Sequence, residues 1–186
     1  MSAPRTEPDA GRRWPAIVVV ALLAVLMGVL TVWAVRTPDA TRTAGAHESV
    51  TLTGGADELR VSPIPGWDVT GQSESELHLT HHGDTVTVTA LQPAVPTPTL
   101  STMFQRQARL LTLQDIAATQ QTTQQTKHGY RGVDGTAVGN GKLGRLSVLR
   151  QGDQAVSVLV LAAPARLTGY QPQLRNLYDS ITEVAS

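Results

Sequence analysis

With 186 residues the chain has room for one hydrophobic core plus a tether, and its charges balance at 15 basic against 15 acidic. Downstream of Arg36 the balance is 11 Lys plus Arg against 13 Asp plus Glu, a slightly acidic remainder that excludes the electrostatic footprint of a nucleic-acid binder. Cysteine is absent, which excludes disulfides, thiol catalysis, thiolate metal sites and lipid attachment through an N-terminal cysteine.

The first element in chain order is a membrane helix over residues 15–36, behind a cytoplasmic tail of residues 1–14. Residues 16–35 carry no charge, and only Gly28 and Thr31 interrupt their apolar side chains. At about 1.5 Å per residue such a helix spans roughly 30 Å, the thickness of a bilayer's hydrocarbon core. Trp14 and Trp33 flank it at headgroup level, and Arg12, Arg13 and Arg36 can snorkel outward. Arg5, Arg12 and Arg13 before the span outnumber Arg36 and Arg42 after it, which puts the N-terminus in the cytoplasm and the rest outside the plasma membrane. Ala44-Gly45-Ala46 has the small-x-small form of a signal-peptide cleavage site, yet the apolar run exceeds the roughly 7 to 15 residues of such peptides, so the expectation is an uncleaved anchor. A buried helix of a soluble domain fits less well, because every face of the run is apolar.

Residues 37–49 mix Pro, Thr, Ala, Asp and Gly without periodicity, as a flexible spacer does. The exported domain is expected over residues 50–186. Short strands at residues 50–52 and 58–61 flank Gly54-Gly55 as a hairpin, and Pro63-Ile64-Pro65-Gly66 breaks the run. Residues 76–80 and 85–90 alternate apolar and polar side chains around a turn at Gly83-Asp84, predicting a second hairpin. Three prolines in residues 92–98 force a loop, after which Thr99 or Ser101 can cap a helix to about Asp115, with Leu100, Phe104, Ala108 and Leu111 on one stripe. Residues 116–127, rich in Gln and Thr, read as a loop or a polar edge strand. Glycine-marked turns at Gly139-Asn140-Gly141 and Gly152-Asp153 then separate three strands, the last of which alternates Val156, Val158 and Val160 against Leu159 and Leu161, so it is expected to be central and covered on both faces. Tyr170, Leu174, Leu177, Tyr178 and Ile181 fall at helical spacing, with Pro172 tolerated in the first turn. Strands, helix, strands, helix is the order of an α+β domain: an antiparallel sheet with two packed helices.

Along residues 59–181 this order, the Ile64-Pro65-Gly66-Trp67 turn, Gly132 to Gly135 leading into a strand series, and the Tyr178-Asp179-Ser180-Ile181 end resemble the fold shared by the photosystem PsbP protein and the nuclear-import factor Mog-one. Within it the chain is most similar to actinobacterial envelope lipoproteins of the LpqN/LpqT type. An Arg-rich, Ala- and Val-rich composition agrees with a high-GC bacterial genome. The resemblance implies a non-catalytic adaptor that binds a larger assembly, such as an accessory factor of lipid export or secretion. Unlike the lipoproteins the chain has no cysteine to acylate and relies on a membrane helix. The family offers no catalytic or ligand residue to carry over.

The residues themselves offer few constellations. His78, His82 and Asp84, with His81 between them, are the one candidate metal cluster, but a strand points His81 away and a solvated hairpin end explains the group equally well. No Ser stands in an ordered nucleophile motif, and Gly139 to Gly144 lacks the Gly-Lys-Ser/Thr ending of a phosphate loop. Trp67 and Phe104 are candidate binding residues, either core plugs or walls of an apolar groove. The expectation is a membrane-anchored interaction module without enzymatic activity or cofactor, its partners being the bilayer and a membrane or envelope protein. The alternative is a small-molecule or lipid carrier using an apolar groove lined by Trp67 and Phe104.

Overall fold

The computed structural model describes residues 41–54, 58–92 and 97–184. The expected tail and membrane helix, with Trp14, Trp33, Arg12, Arg13 and Arg36, lie outside the described residues. Among the described residues no helix is long and apolar enough to cross a membrane.

Among the described residues eleven strands and three helices follow one another: β1 Arg42–Thr43, β2 Val50–Thr53, β3 Glu58–Val61, β4 Asp68–Gln72, β5 Glu76–His81, β6 Asp84–Leu91, α1 Leu100–Thr112, β7 Ile116–Gln125, β8 Arg131–Gly139, β9 Lys142–Gln151, β10 Gln154–Ala162, α2 Pro164–Leu167, α3 Gln171–Ser180 and β11 Thr182–Glu183. Eight strands form one sheet in the order β1-β4-β5-β6-β10-β9-β8-β7, every neighbouring pair antiparallel. A small second sheet orders β11-β3-β2. The expected antiparallel sheet with packed helices is therefore present, with the short α2 and a second sheet added.

Alternation sorts the core into two layers. On β10, Val156, Val158 and Val160 join a cluster with Trp67, Leu174 and Leu177 on the side of α3 and the small sheet. Ala155 and Leu161 face the opposite layer, where α1 brings Met103 and Phe104 onto the sheet. Two-sided burial follows from the near-continuous apolar run of this strand, whereas β5 and β6 alternate buried with half-buried residues as one-sided strands do.

Turn chemistry sets the register. The β5–β6 hairpin turns on His82 (φ 50°) and Gly83 (φ 80°), and β8–β9 turns on Asn140 (φ 54°) and Gly141 (φ 70°), the left-handed pairs that match strand twist. The first of these lies one residue earlier than the expected Gly83-Asp84, and Asp84 instead begins β6. Gly66, at φ 80°, completes a tight turn in which Trp67 N–H donates to Ile64 O at 3.1 Å, with Pro65 fixing the preceding φ. Thr99 caps α1 by accepting from Thr102 N at 3.2 Å, and the helix ends at Thr112, three residues short of the expected Asp115.

The expected spacer also differs. Within residues 37–49, Arg42 and Thr43 pair with Val69 and Asp68. Ala44 N–H donates to Trp67 O at 2.7 Å and Gly66 N–H to Ala44 O at 3.1 Å. The compact unit accordingly begins at Thr41. A two-residue polar edge strand has no alternation to read, and it forms because the turn before Trp67 leaves backbone groups to be satisfied.

Candidate functional site

Asp84 starts β6 with no exposed surface. Ala163 N donates to it at 2.9 Å, Tyr170 Oη at 2.9 Å, Arg166 Nε at 2.6 Å and Arg166 Nη2 at 2.9 Å. The Arg166 guanidinium is the main cause that holds the Asp84 carboxyl near 2, and the Ala163 and Tyr170 bonds add to it against the opposing effect of burial. Tyr170 is pushed up by burial and by the same carboxylate. This lock ties the hairpin end to α2 and the entry of α3. Its partners lie 79 to 86 residues away in sequence, so a reading of local pattern had no signal for it.

The candidate metal cluster of His78, His82 and Asp84 is dispersed by the same geometry. Asp84 is committed to Arg166 and Tyr170, while His78 points toward Thr87 Oγ1 at 3.1 Å and Glu76 Oε2 at 3.3 Å. His82 lies in the turn, its carbonyl accepting from Arg166 Nη2 at 3.1 Å. His81 stacks on Trp67 with ring centroids 5.4 Å apart, and Tyr170 meets the same indole edge-on at 5.1 Å. Among the described residues no three His, Cys, Asp or Glu side chains converge to hold a metal ion.

Trp67 and Phe104 are both 1% exposed and lie in different core layers, so no one cavity brings them together. Trp67 Nε1 donates to Gln173 Oε1 at 3.4 Å, pinning α3 to the turn. Phe104 packs against the β8 backbone at Gly135, where an added Cβ would stand 2.5 Å from its ring and 2.2 Å from Thr119 O. Leu111 is packed as expected from its stripe, but Leu110 is 55% exposed, and Leu113 just past the helix is 82% exposed.

Three surface features remain. The first is the outer edge of β7, a ten-residue strand paired only with β8 among the described residues. The second is an open groove of about 520 Å³ between α1 and β7, walled by Phe104, Ala108, Ala117 and Ala118. The third lies on the other side of the sheet, where α3 faces β7, β8 and β9. There a groove of about 480 Å³ continues past Arg145, Gln171 and Leu174 into a lobe of about 170 Å³. Asp134 on β8 lies in this lobe, raised above the ordinary carboxylate range chiefly by burial, with the Ser147 hydroxyl and Arg145 pulling it partway back. Tyr178, pushed up to about 12 mainly by burial, shares a 2.9 Å hydrogen bond with Ser147 at the floor.

No family model matches the sequence, and no curated protein matches it either. Among solved structures the chain is similar to the solution structure of cyanobacterial PsbP (CyanoP) from Synechocystis sp. PCC 6803, at 12% identity and a TM-score of 0.51, over 77% of this chain and 98% of that one. The domain has a PsbP-like fold. At that identity the likeness speaks for the PsbP-like architecture alone, as the resemblance in element order implied.

Proposed function

We propose that the chain is a membrane-anchored, non-catalytic interaction module of the bacterial cell envelope, akin to the LpqN/LpqT type. In this reading the helix of residues 15–36 stations the PsbP-like domain outside the plasma membrane, beside a lipid-export or secretion complex that it serves as an accessory factor. The observation that carries the reading is the edge of β7. Natural sheets blunt their edges with short strands, lysine, proline or covering elements, because unpaired N–H and C=O groups template pairing with another chain. The opposite edge of this sheet follows that rule, with β1 only two residues long and Arg42 on it. β7 runs for ten residues, Ile116 to Gln125, with neither a charge nor a proline, and the exposed Leu110 and Leu113 stand at the end of the preceding helix. A bulge near Gln121 bends the strand without ending it. Such an edge suits an extended segment of a partner added as a ninth strand, and tethering raises the effective concentration so that a modest surface suffices.

Two measurements test this. Protease added to intact spheroplasts should digest the C-terminal domain; protection would place it in the cytosol and overturn the reading. Photo-crosslinkers along β7 in native membranes should trap one discrete partner that Thr123→Lys, an edge charge, removes while the domain stays folded. No adduct from β7, or an adduct indifferent to T123K, would defeat the strand-addition argument. The groove beside Phe104 favours a second reading, a carrier of a small apolar ligand or lipid, since its volume falls in the ligand-pocket range of about 300 to 1,000 Å³. Mass spectrometry finding no lipid retained by the purified full-length chain, or a lipid retained equally by Ala118→Trp, would remove it.

A further inference from the structure

We infer that the two-lobed groove between α3 and the β7–β9 face binds a small phosphorylated polyol, a sugar or cyclitol phosphate. The inference rests on a different surface from the β7 edge and stands apart from the adaptor reading. Buried polar atoms are almost always hydrogen-bonded, so each that is not needs a partner from outside the chain. Among the described residues three side-chain atoms are buried without one, Gln124 Nε2, Thr126 Oγ1 and Asp134 Oδ1, and all three belong to residues lining this groove. Thr126 is 8% exposed and Asp134 6%, so neither turns to bulk solvent. Together they present an amide donor, a hydroxyl and a carboxylate acceptor, a set that ligand hydroxyls, which both donate and accept, can satisfy.

Charge divides the groove. Lys127, Arg145 and Arg175 line the larger lobe against Asp179 alone. Lys127 and Arg175 form no ion pair among the described residues, and Arg145 reaches Asp134 only at 3.6 Å, with its own side chain 44% exposed. Three cations against one acid fit a phosphate dianion, which arginine binds through paired N–H groups. The smaller lobe holds Asp134, which repels an anion and accepts from a hydroxyl. A ligand carrying phosphate at one end and hydroxyls at the other matches both lobes, whereas free phosphate satisfies only the larger and a neutral polyol only the smaller. The combined groove falls in the volume range of small-molecule sites.

The test is calorimetric titration of the full-length chain in non-ionic detergent with myo-inositol 1-phosphate and glucose 6-phosphate, against myo-inositol, glucose and inorganic phosphate. At least one phosphorylated polyol should bind roughly tenfold or more tightly than either of its fragments, as one charge-assisted hydrogen bond beyond the fragment provides. Arg175→Gln and Lys127→Gln, both at exposed positions, should each weaken the phosphorylated probe several-fold without lowering the melting temperature. Asp134→Asn should weaken it too while leaving inorganic phosphate no weaker. Displacement of the soluble probe by phosphatidylcholine vesicles containing phosphatidylinositol would identify a lipid headgroup as the source. Failure of those vesicles to compete would identify a free metabolite, and either result supports the site. Inorganic phosphate binding as tightly as both probes, absence of heat with both, or affinity indifferent to R175Q, K127Q and D134N would overturn it and leave the orphan atoms to water.

Discussion

Replacing Arg166 by methionine keeps the aliphatic stem and removes the guanidinium from Asp84. The carboxylate is fully buried and accepts four hydrogen bonds, of which the substitution deletes two and leaves those from Ala163 N and Tyr170 Oη. Stripping one partner from a fully buried ion pair costs about 3 to 5 kcal/mol. Arg166 is 45% exposed and half the bonds survive, so water can enter the gap and the expected loss falls to roughly 2 kcal/mol at neutral pH. The pH dependence has a defined sign. Asp84 is held near 2 against an ordinary 3.8, so its stabilisation is fully present above the ordinary value and fades as pH falls from about 4 through 2. A shift of that size corresponds to about 2 kcal/mol, discounted to ~1 kcal/mol because the half-exposed guanidinium is screened by solvent. Urea unfolding of the parent, R166M, D84N and the double variant at pH 6 and pH 2 measures both quantities. The double variant should be less destabilised than the two single changes added together. A loss below ~0.5 kcal/mol for R166M at pH 6, within the range of an ordinary surface substitution, would refute the lock. An acid sensitivity in R166M as steep as the parent's would refute it as well.

Phe104→Ala should cost about 3 to 5 kcal/mol, measured by chemical denaturation, because the ring is 1% exposed and α1 cannot collapse onto Gly135 to refill the space. Gly135→Ala should destabilise by roughly 1 to 3 kcal/mol through overpacking, since its Cβ would meet both the Phe104 ring and the Thr119 carbonyl. A neutral result in a thermal melt would show that β7 is free to move away. Asp134 is raised by burial, so its ionisation on going above pH 3.8 favours the unfolded chain. Asp134→Asn should therefore be neutral or stabilising at pH 7, and the advantage should vanish at low pH, where both states of the parent are protonated.

What a sequence shows depends on whether the interaction is periodic. The alternation around Leu77, Leu79, Val86 and Val88, and the stripe Tyr170, Leu174, Leu177, Tyr178 and Ile181, are buried where their spacing puts them. Both follow from one face of one element meeting the core. Contacts between distant segments leave no such trace. β1 and β11 are two residues each, and Asp84 follows a glycine turn as any solvated acid would, with its arginine 82 residues away. Leu110 makes the complementary point: an apolar residue beside a real stripe is not on it, and the helix turns it to solvent.

β7 joins these two lessons. Its Gln- and Thr-rich sequence shows neither helical nor strand periodicity because most of its side chains meet water on both faces. It is a strand because β8 supplies a ladder along its full length, not because it has much to bury. Ten residues of backbone, bent once near Gln121 but uncharged and open on one side, lie outside any burial pattern, and they remain available for pairing that the core does not use. T123K separates these roles: a lysine there leaves the β8 ladder intact, and a loss of partner crosslinks without a loss of stability would assign the outer edge to recognition.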